Sequence, residues 1–161
     1  MSKGNTNAES ETDLIARNKK ARFDYKVLDT FEAGMALLGS EVKSLRNRDV
    51  SLAEAFVRPR GRELWLLGAN IKPYRQATIV NHDPVRPRKL LLHRREIDRL
   101  GSLVAEKGLT IVPIEMYWKN GIAKVRIAVA RGKRRFDKRE SIRKREARRE
   151  IRRAEGRSRR G

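Results

Sequence analysis

The dipeptide Asn120-Gly121 constrains the fold of this chain more than any other feature. Both central residues of a type I′ turn need positive φ, which Asn and Gly adopt readily, so the pair predicts a two-residue β-hairpin. The register that follows sets Met116 against Val125, Ile114 against Ile127 and Val112 against Val129 on one face. Tyr117 then faces Lys124 and Glu115 faces Arg126 on the other. One face is apolar, with Trp118 on it, and the other is charged, as a half-buried hairpin requires.

Other stretches carry weaker signals of the same kind. In residues 22–38, Phe31, Ala33, Met35 and Leu37 alternate with Glu32, Gly34 and Ala36, which predicts a half-buried strand, or two strands broken near Glu32. Ser40 can cap a short helix over 41–48, with Val42 and Leu45 inward and Lys43 and Arg46 outward. Strands at 53–57 and Glu63–Leu67 are joined by Arg58-Pro59-Arg60-Gly61-Arg62, a turn-forming link bearing three cations. Leu90-Leu91-Leu92 reads as a short buried strand after the basic loop Arg86-Pro87-Arg88-Lys89, with His93 near the start of the helix that follows. That helix places Ile97, Leu100, Leu103 and Val104 on a stripe and can end at Gly108. Six to eight short strands with two or three short helices predict a mainly β chain, an OB-fold-like closed antiparallel β-barrel.

Charge divides the chain. There are 40 Lys and Arg against 20 Asp and Glu in 161 residues, a net charge of +20 that points to a polyanionic partner. Residues 131–161 hold 16 basic and 5 acidic side chains, so a boundary is expected near residue 130. The expected organisation is a flexible, polar N-terminal arm over 1–16, a nucleic-acid-binding barrel over 17–130 and a basic C-terminal tail over 131–161. The tail has too few large apolar side chains to offset its ordering entropy, which predicts disorder in the free protein. Yet from Lys138 to Glu155 it lacks Pro and Gly, and Ala147, Ile151 and Ala154 share a narrow stripe, so binding can select a helix. No apolar run approaches the ~18 residues of a spanning helix, so no membrane partner is expected, and the chain reads as a cytoplasmic monomer when free.

Catalytic chemistry finds no foothold. Without cysteine there is neither a disulfide framework nor a thiolate zinc site. His82 and His93 are the only histidines, His93 and Glu96 alone do not make a metal site, and no phosphate-binding loop or placed nucleophile occurs. No metal, cofactor or reaction is expected. The spacing of Lys43, Arg46, Arg86, Arg88 and Lys89 suits phosphates instead. Glu32, read alone, is most simply a solvated strand carboxylate, and Tyr25, Tyr74, Trp65 and Trp118 are most simply core residues.

Several segments resemble the SsrA-binding protein (small protein B) family. They are Asn18-Lys19-Lys20-Ala21-Arg22 with Tyr25, then Phe31-Glu32-Ala33-Gly34 and Gly39-Ser40-Glu41-Val42-Lys43-Ser44-Leu45-Arg46. Arg88-Lys89-Leu90-Leu91-Leu92, Tyr117-Trp118-Lys119-Asn120, and Gly132-Lys133-Arg134 with Asp137-Lys138-Arg139 complete the set, which spans residues 17–140. The resemblance implies a non-catalytic protein whose barrel binds the tRNA-like part of transfer-messenger RNA and whose tail acts on small-subunit ribosomal RNA in the decoding region. It implies RNA-supporting roles for Glu32, Leu91 and His93. With the cations and aromatics of the matched segments, the core contact set extends to Asn18, Lys19, Lys20, Arg22, Tyr25, Lys43, Arg46, Arg88 and Lys89. The corresponding tail set is Gly132, Lys133, Arg134, Phe136, Asp137, Lys138 and Arg139, with Ile151 from the helical stripe. Phe23 stands where the family often has histidine, and Phe136 where it commonly has histidine or tyrosine. A ribosomal protein or general RNA-binding OB-fold protein is the alternative, and it would need exposed aromatics along a groove in place of basic loops.

Overall fold

A computed structural model describes residues 12–74, 81–133 and 135–158. In chain order the elements are β1 (Thr12–Arg17), α1 (Lys19–Asp24), β2 (Tyr25–Met35), α2 (Gly39–Arg46), β3 (Val50–Ser51), β4 (Phe56–Arg60) and β5 (Glu63–Leu67). They continue with β6 (Asn70–Ile71), β7 (Arg88–Leu91), α3 (Arg94–Lys107), β8 (Thr110–Lys119), β9 (Ile122–Gly132) and α4 (Arg135–Ser158). The described residues are mainly β, with four helices among them where two or three were expected. Seven strands form one antiparallel sheet in the order β1-β8-β4-β5-β7-β2-β9, and β8 also pairs with β9, so the pairings run in a ring. β3 and β6 form a separate pair. Inward side chains from every strand of the ring, with Leu45 of α2 and Leu100 of α3, make the main core.

The hairpin β8–β9 turns at Asn120-Gly121 with φ of 51° and 77°. Near the turn its register is the expected one, Met116 opposite Val125, Tyr117 opposite Lys124 and Glu115 opposite Arg126. Further along, a bulge between Pro113 and Glu115 sets Pro113 against Ile127 and Val112 against Ala128. The expected Ile114–Ile127 and Val112–Val129 pairs therefore do not form. A bulge suits Pro113, which has no N–H to give the ladder. Asn18 takes up the carbonyls it leaves over: its backbone N–H donates to Ile114 at 2.7 Å and its side-chain amide to Pro113 at 3.0 Å. The shift turns Val112 and Ile114 outward, where they form a second small apolar cluster with Ala21, Ala128 and Ala130. That cluster seats α1.

Other boundaries moved for local reasons. Residues 12–16, expected in the arm, belong to β1, which pairs with β8 and buries Ile15; residues 1–11 lie outside the described residues. β2 runs unbroken through Glu32. α2 begins one residue before Ser40, with the Glu41 carboxylate accepting from the Leu38 N–H at 2.9 Å, while Ser40 hydrogen-bonds the ring of buried His82 at 2.9 Å. β4 starts at Phe56 instead of residue 53 and runs through Arg60, leaving only Gly61-Arg62 as the turn. Pro59 is tolerated inside it because β4 pairs with β8 only at Val57. In β7 Leu90 is buried but Leu91 is 52 % exposed, so the leucine run is not a buried strand. Trp65, expected in the core, alternates outward between buried Leu64 and Leu66 and is half-buried. Gly108 ends α3 in the left-handed region, as expected.

Arg88, expected among the phosphate contacts, is 0 % exposed. Strand alternation explains it, since β7 turns Arg88 and Leu90 inward and Lys89 and Leu91 outward. Its Nε donates to Glu41 at 2.6 Å, and its terminal nitrogens donate to the carbonyls of Ala69 at 2.7 Å and Pro84 at 3.1 Å. Glu41 is equally buried and also accepts from Arg86. Burial alone would push the Glu41 carboxyl up, but hydrogen bonds from Arg86, the Leu38 N–H and Arg88 hold it below the usual value. A depressed carboxylate stabilises the fold fully above its unfolded pKa, and that contribution is lost as pH falls through the folded pKa. Glu41→Ala should cost about 3–5 kcal/mol in urea unfolding near neutral pH, because it strands a buried guanidinium, and the difference from wild type should shrink on acidification.

Candidate nucleic-acid interface

Strand alternation builds the outer face of β2, β8 and β9. Ala33 and Met35 point inward from β2, so Glu32 points outward, and the β2–β9 register sets it against Arg126. Its carboxylate accepts from the Tyr117 hydroxyl at 2.5 Å and from Lys119 Nζ at 3.2 and 3.3 Å. Tyr117 is 3 % exposed, with the Arg126 guanidinium 5.3 Å from its ring centroid. Arg126 is anchored in turn by Glu115 at 2.6 Å. Burial pushes Glu32 up, but the bonds from Tyr117 and Lys119 and the charges of Lys119 and Lys124 hold it below the usual carboxylate value. Burial and the bond to Glu32 push the Tyr117 phenol up to about 12.

Glu32, Gly34, Leu91, Leu92, His93, Glu96 and Lys124 line an open depression where β2, β7, β9 and the start of α3 meet. It brings Glu32 of β2 together with a distant segment of the chain, Leu91 at the end of β7 and His93 at the start of α3. Gly34 lies opposite Leu91, and a Cβ there would sit 3.4 Å from the Leu91 Cβ. A second depression, at the root of α4, is lined by Arg22, Tyr25, Lys26, Val27, Thr30, Ile114, Arg126 and Lys133. It joins Arg22 and Tyr25 of the expected core set to Lys133 of the expected tail set. Lys133 is tied to the core through its N–H, which donates to the Asp24 carbonyl at 2.9 Å.

Other expected contacts are distributed as follows. Lys19 and Lys20 are exposed on α1, Lys20 facing Glu54 at 3.6 Å. Lys43 and Arg46 are exposed on α2, with Lys43 Nζ 5.4 Å from the Tyr74 ring centroid. Lys89 points outward and pairs with Glu63 at 3.1 Å. Asn18 is 5 % exposed, and its side-chain oxygen caps α1 at the Ala21 N–H, 3.1 Å away. Both ends of its amide are committed to the fold, so it places α1 and is not itself a contact surface; Arg88 is likewise interior. Gly132 closes β9 opposite Tyr25. Arg134 lies outside the described residues, as do the side chains of Phe136, Asp137 and Lys138 within α4. Arg139 and Ile151 are exposed, and Arg145 lies 5.8 Å from the Phe23 ring centroid, where α4 meets α1. Tyr117, Lys119, Lys124 and Arg126 were absent from the expected set, although the hairpin register already placed Tyr117, Lys124 and Arg126 on one charged face. Their link to Glu32 needs the β2–β9 pairing, which no local signal carries.

The family model for SmpB protein matches residues 15–157. An SsrA-binding protein of Salinispora tropica is 56 % identical over 144 residues, covering 89 % of this chain and 91 % of that protein. One of Levilactobacillus brevis is 54 % identical over 138 residues, covering 86 % and 88 %. A solved chain described as "tmRNA-SmpB: a journey to the center of the bacterial ribosome" superposes with a TM-score of 0.63 at 47 % identity, covering 80 % of this chain and 94 % of that one.

The Tyr117 phenol gives a spectroscopic test of the geometry around Glu32. Ultraviolet absorbance titration should show one tyrosine ionising at about 12, and Tyr117→Phe should remove that step. Because the folded pKa is raised, the associated stability is present below the unfolded value of about 10 and is lost as pH rises through the folded one.

Proposed function

The chain belongs to the SmpB family, and from that premise we propose that it binds transfer-messenger RNA (SsrA RNA) and delivers it to stalled ribosomes in trans-translation. The observation that carries this reading is the convergence of Glu32, Leu91 and His93 on one open depression beside Lys124. We read the ring of strand pairings as an OB-fold-like closed barrel that presents this face to the tRNA-like part of the RNA. Lys19, Lys20, Arg22, Lys43, Arg46 and Lys89 meet phosphates, and Tyr25 offers a ring for stacking. Shape and phosphate contacts dominate, and the role is binding and delivery in the cytoplasm, without catalysis.

The tail takes the ribosomal part of the work. All the side chains of α4 described between Ile142 and Gly156 are exposed, so packing against the core offers this segment little support, and its many cations repel one another. The helix then depends on a polyanion to neutralise it. The reading is a tail disordered in the free protein and helical on ribosomal RNA in the decoding region, with Gly132, Lys133 and Arg134 as its root. Phe136, Asp137, Lys138, Arg139 and Ile151 are its contacts.

Affinity for transfer-messenger RNA should fall with salt by roughly 0.7–0.9 units of log–log slope per phosphate engaged, and replacing Lys43 and Arg46 by Ala should flatten that slope. Filter binding at three salt concentrations checks it, and an unchanged slope would remove α2 from the interface. Deletion of residues 134–161 should leave this binding largely intact and abolish peptide tagging on stalled ribosomes. A truncated protein that still supports tagging would overturn the role of the tail.

A further inference from the structure

An ionised carboxylate on an RNA-binding face repels phosphate, so Glu32 contributes only by accepting hydrogen bonds from amino groups of bases or from ribose 2′-hydroxyls. Acceptance depends on direction, because each oxygen offers its lone pairs in the carboxylate plane. What holds that plane is therefore part of recognition. Lys119 is a poor holder, since its flexible ammonium is 33 % exposed and bridges both oxygens. Tyr117 differs: its ring is buried, it lies against Arg126, and Arg126 is fixed by Glu115, so the hydroxyl reaches Glu32 from a rigid base.

Resting on the RNA-interface reading above, we propose that Tyr117 is a positioning residue whose hydroxyl orients the Glu32 carboxylate so that its free lone pairs meet amino or 2′-hydroxyl donors of the bound RNA. The Glu32 side chain keeps 34 % of its surface open, beside the depression that Leu91, His93 and Lys124 line. Lys119 then supplies charge while Tyr117 supplies direction. The charged and titratable groups around the carboxylate are Tyr117 and Lys119 from β8, Lys124 and Arg126 from β9, and His93 and Glu96 at the start of α3. Because several of them titrate, the acid limb of binding is assigned to Glu32 only by comparison with Glu32→Gln.

The test uses the full chain and the tRNA-like domain of transfer-messenger RNA, with affinity measured from neutral to acid pH. Tyr117→Phe should weaken binding about five- to thirty-fold near neutral pH, the loss expected for one oriented hydrogen bond to a charged group. It should also move the acid limb to higher pH, since the bond that favours the ionised carboxylate is gone, a change that simple loosening of the fold does not produce. Glu32→Gln should weaken binding and abolish that limb, and the double variant should be no worse than the weaker single one. RNAs bearing 2′-deoxy nucleotides or bases without an exocyclic amino group separate the two donor sources: the substitution that weakens wild-type binding and not that of Glu32→Gln marks the donor. Tyr117→Phe with wild-type affinity and an unmoved limb, beside an impaired Glu32→Gln, would overturn the positioning role alone. Wild-type binding by Glu32→Gln would overturn the interface reading on which it rests. Should Tyr117→Phe fail to fold by circular dichroism, Lys119→Met gives the contrast: it should weaken binding while leaving a Glu32-dependent acid limb, and loss of that limb would sink the proposal.

Discussion

The buried pairing of Glu41 with Arg88 is the constraint on which the rest of the arrangement depends. Two full charges in the interior are tolerable only when their hydrogen bonds are met, and meeting them recruits α2, the Ala69 carbonyl before β6, the Pro84 carbonyl and Arg86. Those segments are distant in sequence, so one guanidinium ties the helix carrying Lys43 and Arg46 to the strand carrying Lys89 and Leu91. A slip of one residue along β7 would bury Lys89 and expose Arg88, leaving Glu41 without its partner. The pair thus specifies the register that turns Leu91 and Lys89 to solvent.

The same logic appears at lower intensity on the outer face. Several acidic residues pair with exposed cations, as Glu54 does with Lys20 and Glu63 with Lys89, but Glu115 anchors Arg126 and Glu32 binds Tyr117 and Lys119. Glu115 gives the Arg126 guanidinium a fixed direction and the buried Tyr117 hydroxyl bonds Glu32, whereas Lys43 and Arg46 stay exposed on α2. A basic surface with a few fixed groups among mobile cations recognises a folded polyanion by charge first and by direction where the groups are fixed.

What was legible in the sequence follows the range of the interaction. The Asn120-Gly121 turn, its register as far as Glu115 and the Gly108 cap are decided within a few residues and were read correctly. The bulge at Pro113 was not, because the carbonyls it releases are satisfied by Asn18, which lies in another part of the chain. Arg88 was misread for the same reason: its identity suggests phosphate, and only the position of Glu41 across the core makes burial favourable. The depression around Glu32 was half legible. Resemblance supplied Glu32, Leu91 and His93, but Tyr117 and Lys119 enter only through the pairing of β2 with β9 and of β9 with β8.

Between core and tail the physics changes. β9 ends at Gly132, the Lys133 N–H still bonds the Asp24 carbonyl, and beyond this point Arg145 of α4 crosses Phe23 of α1. A core held by buried pairs is organised before any RNA arrives, so its binding loses little entropy on association. A segment whose described side chains are all exposed from Ile142 to Gly156 has little packing of its own to hold it in a helix. The two parts, joined at Lys133, therefore differ in what holds them: buried pairs and a packed core on one side, the helix's own backbone bonds on the other.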